Sequence, residues 1–194
     1  MKLTNPEKLM LTMLAEIHET VKVKDGIDTK LLKEAIYSDN TWALLWEMPG
    51  LFDSGQKEED PPEVKEVVDI LEMWEFIEEG HEALGPPDRK RVETEAKPFG
   101  SHVKFTGFDG NYEGRWMSIA CFLVDDMKRF SRFKGRDMNS HGSPPLDAYR
   151  RMLAVWEPIR ATLDGKPLTA DQIIQLLNAE THPSHAVKGR GAPE

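Results

Sequence analysis

The sequence predicts an all-α fold: a single multi-helix domain over residues 1–180, packed as an orthogonal bundle, followed by a disordered tail over residues 181–194. Three observations predict it. Apolar residues recur at spacings of three and four along most of the chain, the period of a helix face. Capping residues, prolines and glycines punctuate those stretches where helices should start and stop. Strand-like alternation is scarce, and residues 103–105 are the one piece that could add a strand.

A chain of 194 residues can bury one good core. Its 39% hydrophobic and 30% charged content suits a well-solvated helical surface. No apolar run reaches membrane-spanning length, so no membrane contact is expected. The N-terminal segment is interrupted by Glu7, Lys8, Glu16 and His18, which suits an amphipathic helix rather than a secretory signal. Cys121 is the single cysteine, which excludes an internal disulfide framework and a cysteine-rich zinc site. The expected compartment is the cytoplasm. A formal charge of −9 argues against a general nucleic-acid coat protein. The charge is uneven: residues 1–99 hold 12 Lys/Arg against 23 Asp/Glu, whereas residues 100–160 hold 10 against 7. Only the central block could attract an anion.

The elements follow in order. Asn5 before Pro6 and Glu7 reads as an N-cap with proline at the first helical position. Leu9, Met10, Met13, Leu14, Ile17 and Val21 then share one face. After an Asp25-Gly26 turn, Asp28 caps a helix carrying Leu31, Leu32, Ala35 and Ile36. Residues 41–48 form a short apolar piece, closed by Pro49-Gly50, whose tryptophans Trp42 and Trp46 lie on one face. A polar loop spans residues 53–60. Asp60-Pro61 opens a long helix with Val64, Val67, Val68, Leu71, Trp74 and Ile77 as its buried stripe. Its many glutamates suit a solvated face. Glu78 and His81 have the spacing of a carboxylate–histidine metal pair, but no second such pair exists and no metal is expected. Gly85-Pro86-Pro87 breaks this helix, and residues 88–104 read as a connecting loop or a short extended segment.

Asp109 is the expected N-cap of a central helix. Tyr112, Trp116, Ile119, Leu123, Met127 and Phe130 form its stripe, about five turns long. Cys121 is expected as a small buried residue on it. Asp109 and Glu113 suit a helix N-terminus, where the dipole favours acids; Arg115 does not, and is expected to answer a carboxylate. Residues 128–136 interleave five basic residues with Phe130 and Phe133. That pattern suits a helix C-terminus stopped by Gly135, and it equally suits weak stacking on single-stranded nucleic acid. Residues 137–145 form a polar loop holding His141, the best acid–base candidate because histidine changes charge near neutrality. A helix follows from Pro145 to Trp156, with Leu146, Tyr149, Leu153 and Trp156 on one side and Pro158 as its end. Thr169 and Gln172 form a capping box for a last helix carrying Ile173, Ile174, Leu176 and Leu177. The tail holds His182 and His185 but no large apolar residue.

No catalytic residue is assigned, although His141 is the candidate. The candidate binding set is Asp109, Arg115, Arg129, Arg132, His141, Tyr149 and Arg150. No cofactor is expected, and the sequence leaves open whether the protein is an enzyme.

Several segments resemble the YfbU family in order: TNPEKLMLTML, VVDILEMWEFI, FTGFDGNYEGRW, RFSRF, the loop with His141, YRRMLAVW and LTADQIIQLLNA. The resemblance runs nearly to Ala179 and is weakest over residues 22–60 and in the tail. It implies a bacterial, cytosolic, all-helical protein. It implies no mechanism and supplies no catalytic residues. The leading functional expectation is a non-enzymatic regulatory or protein-interaction module that forms a two-fold homodimer. The alternative is an RNA-binding or RNA-cleaving protein, or a small-anion sensor, using the 105–156 block.

Overall fold

Helices account for the regular structure of the chain. In the computed structural model, which describes residues 2–24, 26–52, 59–142 and 144–181, they are α1 (Asn5–Val21), α2 (Thr29–Tyr37), α3 (Ala43–Glu47), α4 (Pro49–Phe52), α5 (Pro62–Ala83), α6 (Pro86–Glu95), α7 (Gly114–Cys121), α8 (Leu146–Arg160) and α9 (Ala170–Glu180). The all-α expectation therefore holds. Among the described residues there is no strand at 103–105. The expected 25–26 turn, the 53–60 loop and the tail with His182 and His185 lie wholly or partly outside the described residues. Two compact units form: Met1–Val67 with Ser118–Arg136, and Val68–Met117 with Asp137–Glu194.

In the first unit, Thr4 rather than Asn5 precedes the first helical residue. Its backbone N–H and its hydroxyl both donate to Glu7 Oε2, at 2.8 and 2.7 Å. Asp28 caps α2 as the sequence predicts, accepting the Leu31 N–H at 3.0 Å. The face Leu31, Leu32, Ala35 and Ile36 of α2 is buried. α1 packs on α2 through a narrow side on which Ala15 is the one buried residue. Trp42 and Trp46 meet edge to face at 5.0 Å. Pro49 begins a further turn instead of ending the segment, because proline suits a first helical position.

The central helix is shorter than its stripe suggested. α7 gives way at Phe122–Asp126 to a single π turn, and the chain then takes left-handed backbone at Lys128 (φ 57°) and Phe130 (φ 50°). Tyr112 lies ahead of the helix and is 80% exposed. The basic run therefore follows a broken helix end. Phe133 is buried within it, and Gly135 has φ +75°.

In the second unit, α6 occupies residues expected as loop or extended chain. The sequence hid it because it buries only Val92 and carries no apolar stripe. Arg91 donates to Glu95 at 3.1 Å within the helix and to Asp171 of α9 at 2.7 Å. α8 also runs past Pro158 to Arg160. Proline removes one bond to the carbonyl of Ala154, and both residues are exposed there, so water can take the carbonyl. α8 buries Leu146, Tyr149, Met152, Trp156 and Ile159, with Met152 taking the place expected for Leu153. Thr169 and Gln172 form the predicted capping box, with Thr169 N–H donating to Gln172 Oε1 at 2.9 Å.

Candidate functional site

The loop over residues 105–113 organises the second unit. Its backbone runs beside residues 138–140: Phe108 N–H donates to Met138 O at 2.9 Å, and Ser140 N–H donates to Phe108 O at 3.0 Å. Gly107 makes this approach possible. It has φ +89°, and a Cβ there would sit 2.2 Å from Met138 O. Phe105 N–H donates to Glu78 Oε1 at 2.8 Å, which spends the Glu78 carboxylate, 3% exposed, on the loop.

Asp109 and Glu113 are both buried. Asp109 Oδ1 accepts the N–H groups of Asn111 and Tyr112 at 2.8 and 3.0 Å, so it caps the 109–112 turn and not the start of α7. Glu113 spans two elements. Its Oε2 accepts Asp109 N–H at 2.9 Å, and its Oε1 accepts Leu146 N–H at 2.8 Å, the first residue of α8. A carboxylate at a helix N-terminus satisfies donors that the helix itself cannot.

Tyr149 closes the group from α8. It is fully buried, its hydroxyl donates to Gly107 O at 3.0 Å, and it shares a 3.0 Å hydrogen bond with Thr106 Oγ1. Its ring contacts Phe108 at 5.8 Å and Trp74 at 5.9 Å, both edge to face. Burial pushes the phenol pKa up, so the hydroxyl stays protonated.

His141 lies at the edge of this framework. Its N–H donates to Asn139 Oδ1 at 3.1 Å, and Asn139 Oδ1 also accepts Gly110 N–H at 3.3 Å. Its Nε2 is 2.8 Å from Asp137 Oδ2, and both side chains are 68% exposed. The hydrogen bond from His141 holds the Asp137 carboxyl below its ordinary value. Both side chains stand largely in solvent. Arg150, also exposed, pairs with Asp147 at 3.2 Å. Arg115 is half-buried in the first turn of α7.

Arg129 and Arg132 belong to the first unit. Arg129 pairs with Glu47 at 3.1 Å, and its guanidinium stands 5.0 Å from the Trp46 ring centre. Arg132 is half-buried in the 3-10 turn Ser131–Phe133. The structure thus brings Asp109 and Tyr149 together as parts of one scaffold. It leaves His141 and Arg150 on the surface, keeps Arg115 in the same unit, and assigns Arg129 and Arg132 to the other unit.

A cleft of about 340 Å³ includes His81, Arg89, Lys90, Glu93 and Ser101 in its lining, and no candidate residue. His81 is pushed below its ordinary pKa there, by burial first and by Arg89 second. Glu78 points to Phe105 instead. Among the described residues, no group of three or more His, Cys, Asp or Glu side chains could hold a metal ion.

A different surface stands out. On α1, Leu9, Met10, Met13, Leu14, Ile17 and Val21 are each 54–68% exposed. The solvent side of a surface helix is normally polar. Here the polar positions Lys8, Thr12 and His18 are partly buried toward α2, and the broad apolar face points outward. Periodicity displayed this face, but periodicity alone does not say whether the chain covers it.

The family model described as the YfbU domain matches residues 1–179. The UPF0304 protein MJECS11 of Methanocaldococcus jannaschii is 34% identical over 119 residues, which covers 58% of this chain and 65% of that relative. The match therefore spans slightly less than two thirds of the relative's length. That relative is archaeal, so similarity to this chain is not confined to bacteria.

Proposed function

The chain belongs to the YfbU family, and from that premise we propose that it works as a non-catalytic, regulatory protein-interaction module in the cytoplasm. One observation carries the reading: the outward apolar face of α1, with six large apolar side chains each more than half exposed. Contiguous apolar surface of this kind marks an interaction site more often than a solvated face. The catalytic alternative draws less support. Tyr149 is enclosed, and Arg129 is engaged by Glu47 and Trp46. No helix among the described residues is long and apolar enough to cross a membrane, which favours a protein partner for this face over a lipid-spanning role.

The test is a photo-crosslinking amino acid placed at Met13 in living cells. A covalent adduct with a protein, abolished by Ile17→Glu, is the expected result. Irradiation that yields no protein adduct rules the reading out.

A further inference from the structure

We propose that the cleft where the C-terminal end of α5 meets α6 binds the phosphate group of a small molecule, held by Arg89 and Lys90 beside His81 and Ser101. The site goes beyond the interaction reading and uses different residues: the cleft belongs to the second unit and α1 to the first.

The first argument is charge. Residues 1–87 hold 8 Lys/Arg against 20 Asp/Glu, whereas residues 88–104 hold 5 against 3. The acidic half of the chain is thus followed by one short basic stretch, which folds as α6, the 3-10 turn Phe99–Ser101 and the residues beside them. Arg91 spends its charge on Glu95 and Asp171. Arg89 and Lys90 line the cleft, and Glu93 is the acid among its described lining residues. The local field is positive. His81 is held below its ordinary pKa by burial and then by Arg89, and Glu82 offsets only a smaller part. Glu93 is held below its ordinary value by Lys90, and Lys97 adds to the effect.

The second argument is the supply of donors. Arg89 Nη2 donates to Glu82 O near the end of α5, which fixes the guanidinium and uses one of its five N–H donors. The planar fork of an arginine matches phosphate oxygens. Lys90 pairs with Glu93 at 2.8 Å, with the two side chains 67% and 48% exposed. Such an exposed pair is worth little, so a dianion can recruit the ammonium group. Ser101 Oγ lies 3.0 Å from Pro98 O, and its hydroxyl can rotate toward a phosphate oxygen. A Cβ at Gly100 would collide with Val92 O, so the turn carrying Ser101 packs directly on the α6 backbone and holds this wall in place. The start of α6 contributes little, because Pro86 and Pro87 have no N–H to offer. The side chains must carry the binding.

The third argument is size. At about 340 Å³ the cleft falls at the lower end of the ~300–1,000 Å³ range of small-molecule sites. That leaves room for a small organic body beside the phosphate.

The experiment is an NMR titration of the purified chain in low-salt buffer, with ribose 5-phosphate and inorganic phosphate as separate probes. The expected result is saturable shifts at Arg89, Lys90 and Ser101 at roughly 10 mM probe or below. The titration midpoint of His81 should rise, because an anion in the cleft favours the imidazolium. Lys90→Gln should weaken binding at least roughly tenfold, and so should Arg89→Gln. Lys90→Gln keeps the test valid if loss of the Arg89 bond to α5 unfolds the other variant. Lys166→Gln removes a cation outside the cleft and should leave the affinity unchanged. Tighter binding of the ester marks a phosphorylated metabolite as the ligand, equal binding marks the free ion, and both support the site. No saturable shift with either probe overturns it. Equal losses in Lys90→Gln and Lys166→Gln overturn it as well, because they mark unspecific attraction to surface charge. So do shifts produced by a short single-stranded RNA and by neither small probe. None of these outcomes alters the result of crosslinking at position 13, so the two readings fail separately.

Discussion

Glu113 Oε1 accepts the backbone N–H of Leu146 at 2.8 Å, so a side chain ahead of α7 caps the start of α8. Its other oxygen holds Asp109 N–H. Replacing Glu113 with alanine strands two buried donors, and the expected destabilisation is about 3 kcal/mol by urea denaturation. Glu113→Gln keeps one acceptor and should cost about half as much. Equal, negligible losses from both would mean that water replaces the carboxylate and that the cap is not structural.

Tyr149 and His141, both candidate site residues, should differ in how much stability they carry. Tyr149→Phe removes the hydroxyl that Gly107 O and Thr106 share, at an expected cost of about 1 kcal/mol. His141→Ala removes an exposed side-chain contact with Asp137 and should change stability by less than about 0.5 kcal/mol. Under the interaction reading it also leaves crosslinking at position 13 intact. Cleavage of labelled RNA by the wild-type chain that disappears with His141→Ala would instead support the RNA-directed alternative.

Gly80 lies within α5, where alanine normally gains up to about 1 kcal/mol over glycine. Here a Cβ would stand 2.9 Å from Leu168 Cβ and 3.2 Å from Leu168 N. Overpacking should reverse the sign, and Gly80→Ala is expected to lower stability by about 1–3 kcal/mol. A raised thermal midpoint would show that the segment before α9 yields without cost.

Glu180 predicts a pH dependence. Burial pushes its carboxyl up to about 7, only partly offset by Arg151, whose Nη2 donates to the Glu180 carbonyl at 2.7 Å. A carboxyl with a raised pKa binds its proton more tightly in the folded chain. Its contribution is therefore fully present below its unfolded value and is lost as pH rises to about 7. Glu72 and Asp126, also raised by burial, act in the same direction. The thermal midpoint should fall between pH 5 and pH 7.5, and less steeply in Glu180→Gln. An unchanged slope in that variant assigns the effect to other groups.

Asp28 and the Thr169–Gln172 box were legible because capping is local chemistry written within four residues. α6 was not, because it buries only Val92 and a single buried position leaves no periodic trace. The end of α7 was missed for another reason. An apolar stripe continues through Met127 and Phe130 whether or not the backbone does, and the left-handed turns at Lys128 and Phe130 interrupt it. Within the 105–156 block, the sequence mixed two roles. Asp109 and Tyr149 are framework, His141 is rim, and nothing in residue type separates them before burial is known. The α1 face was legible as a face, and its exposure was not.

Photo-crosslinking from position 13 in living cells, run beside Ile17→Glu, tests most directly whether the apolar α1 face is an interaction surface. The interaction reading predicts a covalent adduct with a protein that Ile17→Glu abolishes. Irradiation that yields no protein adduct contradicts it.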